Sequence, residues 1–414
     1  MSSILGMLGE ERMGFWNFIL NFWTELGAWV GNVLSGWGLP PWAVNLIADI
    51  LGVLILVIIG VMAVLIFTPM ERKVIARMQD RPGPNRVWPY GLLQAIPDAI
   101  KMLTKEDVIP QRADRRLHIL APILVVIPSL LIYAVLPWGP RIIGQDLNVG
   151  VLYIVAISAI HILAVLIAAW GSNNKFALIS AFRVVNQLLA YEVPMILCIL
   201  AVVLFTKTMS TQGIVEAQTI PYFLVMPIAG FVFLTCALAE TNRSPNDLLE
   251  ADSELVAGYM VEYAGMKFAM FFIAEYVNMF AAAILLSTLF LGGYKFFGLE
   301  NAAPVLTPFI VFAKAAFVIF LMLWFRGTWP RMRFDHLVGF AWKFLVPLSL
   351  VNLILAGLAV KIPVADPRWE PWIQGGAMCL GSLILIGATA WILNRAARKF
   401  QGAPAIKRIV AAER

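Results

Sequence analysis

The chain has 414 residues, of which 61% are hydrophobic and only 14% charged, and its mean hydropathy is +0.83. A soluble globular domain is about 45–50% apolar, and apolar runs recur here along the whole length, so a soluble domain and a soluble domain on a single anchor are both excluded. The longest polar stretch, roughly Glu71 to Arg116, is too short and interrupted to bury a core of its own, and the net charge of +6 reflects topology, with no implication of nucleic-acid binding.

Taken in order, the N-terminus carries Glu10, Glu11 and Arg12 and lacks a basic region before an apolar run, so no cleavable signal peptide is expected. Phe15 to Leu34 is apolar but holds Glu25 and is rich in aromatics. It reads as an interfacial helix with Trp16, Trp23 and Trp29 at headgroup level, and a tenth crossing is the alternative. Nine runs of about 20 residues follow, each long enough to cross a hydrocarbon core of roughly 30 Å. They are 46–69, 117–137, 150–170, 187–206, 220–239, 267–291, 305–325, 342–361 and 375–394. The fold class is therefore an all-α polytopic membrane protein. It divides into an N-terminal segment 1–45, a membrane core 46–362 and a C-terminal helix with a basic tail, 363–414.

With nine spans, the segments 70–116, 171–186, 240–266, 326–341 and 395–414 share one face and, with residues just inside the adjoining spans, hold 24 of the 31 basic residues. By the positive-inside rule that face is cytoplasmic, which puts the N-terminus outside and the C-terminus inside. The opposite face holds Arg12, Arg141, Lys207, Lys295, Lys361 and Arg368, and Lys314 stands alone about mid-span, where a partner carboxylate or water is expected. Outer connections are short and inner ones long, so function belongs at the inner edge.

The first inner loop holds Arg81-Pro82-Gly83-Pro84-Asn85, which cannot be helix. Leu92, Leu93, Ile96, Ala99, Ile100 and Leu103 then recur at helical spacing with Asp98, Lys101 and Lys105 mostly off the stripe, as in an amphipathic surface helix; a basic loop that merely sets topology is the plainer alternative. In RVVNQLLAYE, Glu192 lies inside a span after Arg183 and Gln187, where a buried ion pair is the alternative.

The densest polar stretch is 239–276, with Glu240, Asp247, Glu250, Asp252, Glu254, Glu262 and Glu275 between two hydrophobic runs. Carboxylates near a bilayer cost on the order of 2.5–3.5 kcal/mol each at a helix centre, and membrane proteins that keep them usually move protons or cations. Ser244-Pro245-Asn246-Asp247 has the pattern of a helix start. A helix there would set Asp247, Glu250 and Glu254 on one face, where not all three ionise cheaply. A solvated acidic loop would account for Asp252 but poorly for Glu262 and Glu275, which follow into an apolar helix. The fourth inner loop sets Arg326, Arg331, Arg333 and Asp335 among Trp329, Phe334 and Trp342, and basic anchoring is its alternative.

Cys198, Cys236 and Cys379 lie in apolar runs at no metal-ligand spacing and read as buried hydrophobes. Of His118, His161 and His336, His161 reads as hydrogen-bonded filler in an apolar run. No phosphate loop, nucleotide fingerprint or hydrolase triad stands out, and neither a catalytic residue nor a metal site is assigned.

The stretches ERKVIARMQDRPGPN, YGLLQAIPDAIK, AFRVVNQLLAYEV, ETNRSPNDLLEADSELVAGYMVEYAG, FFIAEY and PRMRFDHLVGFAWKFLVPL, in this order across 46–362, resemble one family: the H subunit of bacterial NADH:quinone oxidoreductase, respiratory complex I. The resemblance implies an eight-span core with 375–394 as a C-terminal addition, an inner-membrane location and no cofactor on this chain. It implies a quinone chamber built from Glu71, Arg72, Arg81, Asp98, Lys101, Arg183, Glu240, Arg243, Asp247, Arg331, Arg333 and Asp335. It implies proton coupling through Glu192, Glu250, Asp252, Glu254, Glu262, Glu275, Tyr276 and Lys314. Ubiquinone or menaquinone is the implied substrate, with iron–sulfur clusters, FMN and NADH on partners. Those partners are peripheral-arm iron–sulfur and quinone-site subunits, small membrane-arm subunits and antiporter-like subunits. Three places depart from the family's pattern: Asn246 where Phe is usual, Asp252 for Glu, and the bulky Arg86-Val87-Trp88 after GPN. The alternatives are the related membrane subunit of an energy-converting hydrogenase, a stand-alone cation or proton carrier, and a structural anchor.

Overall fold

The computed structural model describes residues 29, 31–36, 40–140, 142–247, 258–296, 298–363 and 369–401. Most of the proposed interfacial segment, Arg141, Arg368 and the tail beyond 401 lie outside them; of the three tryptophans expected at headgroup level only Trp29 is described, and it is exposed.

The described residues form a bundle of helices. Helix α1 (Pro41–Met78) starts at a proline, whose missing N–H is no loss there, and runs on past the expected end of its span at 69. The residues of MERKVIARM favour helix and include neither glycine nor proline, so Glu71 and Arg72 ride on a helix rather than a loop. The turn 82–91 follows and leads into the short surface helix α2 (Ala95–Thr104), which leaves Ile96, Ile100 and Leu103 exposed. Helix α3 (Arg115–Leu131) is capped by Asp114, whose carboxylate accepts from the Arg116 and Leu117 amides at 2.9 and 3.4 Å.

Helix α4 (Gly150–Gly171) is followed by α5 (Lys175–Thr206), which begins at an Asn174 cap well before the expected 187. Arg183, Gln187 and Glu192 therefore share one continuous helix, with Glu192 far from its start. After α6 (Thr211–Ala217), the run 220–239 divides into a short helix, Tyr222–Val225, and α7 (Pro227–Glu240). Met226 between them is non-helical because the ring of Pro227 clashes with a helical predecessor. The remaining long helices are α8 (Gly265–Phe290), α9 (Thr307–Thr328), α10 (Phe334–Val360, with a π turn at Ala341–Leu345) and α11 (Glu370–Gln401).

Eight of the nine expected runs form helices long and apolar enough to cross a membrane among the described residues. The exception is α7, whose 14 residues rise only about 21 Å.

Helix α8 is the centre of the bundle, with 61% of its most apolar stretch buried, against 17% for α1 and 11% for α11. It packs on α1, α3, α7 and α9, while α5 packs on α4, α7 and α10. Phe280 of α8 meets the rings of Phe67, Tyr133 and Trp138 at 5.3–6.1 Å, and the Tyr133 hydroxyl donates to the Val277 carbonyl at 2.8 Å. These contacts bind α8 to α1 and to the segment just after α3 by apolar area and one buried hydrogen bond.

The turn 82–91 depends on Gly91. Its φ is +70°, and an added Cβ would lie 2.3 Å from the Pro84 carbonyl oxygen. Trp88 and Tyr90 beside it also have positive φ, so this hairpin already holds two residues in a costly conformation. Gly91→Ala is expected to release it, seen as faster limited proteolysis between 80 and 94 in the assembled protein; unchanged protection would count against this account.

Candidate functional site

Side chains from α1, α8, α9 and the loop after α7 meet in one charged knot. Glu71 near the end of α1 is buried and accepts two hydrogen bonds from Nη1 of Arg243, at 2.8 Å to Oε1 and 2.9 Å to Oε2. Arg243, itself buried, follows α7. Its Nε lies 3.3 Å from Glu275 Oε1 on α8, and its guanidinium carbon sits 4.5 Å from the centre of the Tyr276 ring. Arg326, from the last turn of α9, donates to the same Glu71. Burial alone would lower the proton affinity of Arg243, but Glu275 and Glu71 reverse that and hold it charged. Two carboxylates between two guanidiniums form a neutral set, the arrangement in which buried charge is tolerable.

The loop after α7 is fixed by side chains. Gln187, fully buried on α5, donates Nε2 to the Ala239 carbonyl at 2.9 Å and the Asn246 carbonyl at 2.8 Å. The Met332 amide donates to the Pro245 carbonyl at 3.1 Å, and Arg331 donates to the Asp247 carbonyl. The expected helix start at 244–247 is accordingly absent: 241–247 is turns, because its backbone groups are taken by Gln187 and the loop before α10. Glu250, Asp252 and Glu254 lie outside the described residues.

Two small cavities run from the knot into the bundle. Glu275, Glu240 and His161 line one of about 10 Å³, and Glu240, His161 and Glu192 line the next, of about 20 Å³. Each is about the size of one water molecule. Glu192 on α5, Glu240 at the end of α7 and Glu275 three turns into α8 are thus consecutive stations ending at the Arg243 knot.

The other expected residues divide. Arg72 and Asp98 pair at 2.5 Å, with Lys101 Nζ 3.6 Å from the same carboxylate, which ties α2 to α1. Partial burial raises the proton affinity of Asp98, but the Arg72 hydrogen bond and charge prevail and leave its pKa lowered. The attachment therefore persists below the ordinary aspartate pKa and is lost as pH falls through the lowered value. Arg183 stacks on Phe334 at 5.4 Å, while Arg81 bonds Gln79 at 2.9 Å on the exposed turn. Arg333 and Asp335 are exposed at the start of α10.

Two expectations change. Glu262 does not follow into an apolar helix, because α8 starts only at Gly265; it sits in the preceding loop, where Asn174 Nδ2 donates to it at 2.7 Å. Lys314, expected to find a carboxylate or water, donates to the carbonyls of Leu291, Gly293 and Lys295 at 2.6–2.8 Å. It caps the far end of α8, where the orphan carbonyls and helix dipole favour a cation, and it stands apart from the Arg243 knot.

Arg326, Gln187 and His161 complete the site beyond the residues singled out in it. In the sequence Arg326 has the look of basic anchoring and His161 of filler. A polar ring in the otherwise apolar run GVLYIVAISAIHILAVLIAAWG is the available signal for the latter.

The NADH dehydrogenase family model matches residues 51–357. The H subunit of NADH-quinone oxidoreductase from Dehalococcoides mccartyi strain CBDB1 is 45% identical over 303 residues, 73% of this chain and 84% of that protein. The H subunit from Brevibacillus brevis is 45% identical over 325 residues, 78% of this chain and 96% of its own length. That of Chlorobaculum tepidum is 42% identical over 359 residues, 82% and 98%. The chain belongs to the NADH dehydrogenase family, as an H-type membrane subunit of the NADH-quinone oxidoreductase complex.

Proposed function

We propose that this subunit forms the quinone chamber of the complex and couples quinone reduction to proton translocation. The observation that carries this reading is the line of acids Glu192, Glu240, Glu275 and Glu71, joined by two water-sized cavities and ended by the Arg243 knot. In this reading the chamber is the basic edge of the membrane core 46–362. Its wall includes the Arg72–Asp98–Lys101 set, Arg81, Arg183, Glu240, Arg243 and Asp247, with Arg331, Arg333 and Asp335. The surface helix α2, with its exposed Ile96, Ile100 and Leu103, borders the entry of an apolar quinone from the lipid. The residues past 362 add a peripheral helix and a basic tail.

Electrons reach the quinone from an iron–sulfur cluster on a peripheral-arm partner, after NADH and FMN on other subunits. Reduction places negative charge in the chamber, and acids that share cavities titrate together, so charge at one redistributes protons along the rest. Glu250, Asp252 and Glu254 sense the change. Glu192, Glu240 and Glu275 pass it towards antiporter-like partners, with Glu262, Tyr276 and Lys314 at the margins. The site lies in the bacterial inner membrane, with the basic loops and C-terminus cytoplasmic and the N-terminus outside.

Three outcomes test this. Glu192→Gln is expected to leave the complex assembled and NADH oxidation by an artificial acceptor unchanged, while quinone-driven proton uptake into liposomes falls on the order of tenfold; Glu250→Ala should act in the same direction. Normal pumping in both would remove the coupling role. Arg243→Ala, by contrast, leaves Glu71 and Glu275 short of their shared cation. Breaking a buried pair costs about 3–5 kcal/mol, so the yield of assembled complex on native gels should collapse. For orientation, a cysteine at Arg77 should react with an impermeant thiol reagent only in inside-out vesicles, and one at Lys361 only in right-side-out vesicles; the reverse pattern overturns the topology.

A further inference from the structure

His161 stands beside Glu240 where the two acid-lined cavities meet. It is the one residue besides Glu240 that lines both cavities. Its ring is buried; the Val125 backbone lies within its reach, while Nδ1 makes no hydrogen bond of good geometry among the described residues. The titratable groups that line these cavities with it come from three directions: Tyr191 and Glu192 from α5, Cys236 and Glu240 from α7, and Tyr259 and Glu275 from the loop before α8 and α8 itself. Those groups would be served by any polar spacer if packing were the only need. An imidazole differs from a serine or asparagine in that it accepts a proton at one nitrogen and returns one from either.

We propose that His161 is a proton carrier between Glu192 and the pair Glu240 and Glu275. The proposal rests on the coupling role assigned to those acids above. A protonated Glu192 gives its proton, through a cavity water, to neutral His161, leaving a carboxylate and an imidazolium that attract each other. The imidazolium then protonates the carboxylate of Glu240 or Glu275, and the ring returns to neutral. Charge is conserved at each step, and no oxidant or metal takes part. The two cavities, each with room for about one water, set the range of both transfers.

The test uses the assembled complex in liposomes, driven by NADH with a short-chain quinone, with proton uptake per NADH oxidised followed as a function of pH. H161Q should keep assembly and NADH oxidation by ferricyanide while uptake per NADH falls severalfold and its pH profile flattens. E192Q, measured in parallel, separates the two ideas. If E192Q loses uptake and H161Q keeps both uptake and pH profile, His161 is only a spacer and the proposal falls while the acid line stands. If both variants pump normally, both readings fall. Should H161Q not assemble, the shorter H161N carries the same expectation. Should neither assemble, the unmodified complex with ring-¹⁵N-labelled histidine decides. An NADH-induced infrared difference spectrum without an imidazole band overturns the proposal.

Discussion

The Arg243 guanidinium is the constraint on which the rest of the site depends. It joins residues that are far apart in the chain: 172 positions separate it from Glu71, and Glu275 and Tyr276 come from a third element. None of these groups is tolerable alone in a low-dielectric interior, since each would keep the cost of leaving water without a partner. Together they set the register of α1, α7, α8 and α9 at one end of the bundle, much as packing of Phe280 sets it deeper in. Apolar contacts between helices are forgiving about sliding. The Arg243 contacts are not, because Nη1 must reach both oxygens of Glu71 while Nε faces Glu275.

That demand explains how a loop can hold its shape beside the acids. Residues 241–247 have no regular structure, yet Gln187, Met332 and Arg331 take up their backbone groups. The loop is thereby clamped between α5 and the start of α10. Asn246 is buried and contributes its carbonyl to this clamp.

Much of this was legible in the chain. Hydropathy located the spans because a helix in lipid must be apolar along its whole length, but it did not show the split of 220–239 at Pro227, since a run stays apolar across a break in its helix. Most of the acids and the amphipathic pattern of α2 were also visible, since rare polar residues stand out against apolar sequence. Pairing was not legible. Arg326 resembled other basic residues at a membrane edge, and only the approach of α9 to α1 makes it a partner of Glu71. Helix lengths were underestimated at 70–78 and 175–186 because hydropathy marks where the apolar stretch ends, not where helical hydrogen bonding ends. Lys314 found backbone carbonyls because the end of α8 folds back towards α9, a tertiary fact that no local pattern carries. His161 was passed over for the same reason: its significance lies in which cavities meet at it.

Helix α11 follows a different rule. Only 11% of its apolar stretch is covered by protein, and its neighbours are α10, α7 and the short helix Tyr222–Val225. One surface ion pair, Lys207 with Glu370 at 3.1 Å, fastens its beginning, and such pairs hold little. None of its described residues belongs to the knot or lines either of the two acid-lined cavities. The chain is thus modular at this end: α11 touches lipid or a neighbour without touching the acids, so its packing and theirs are set independently.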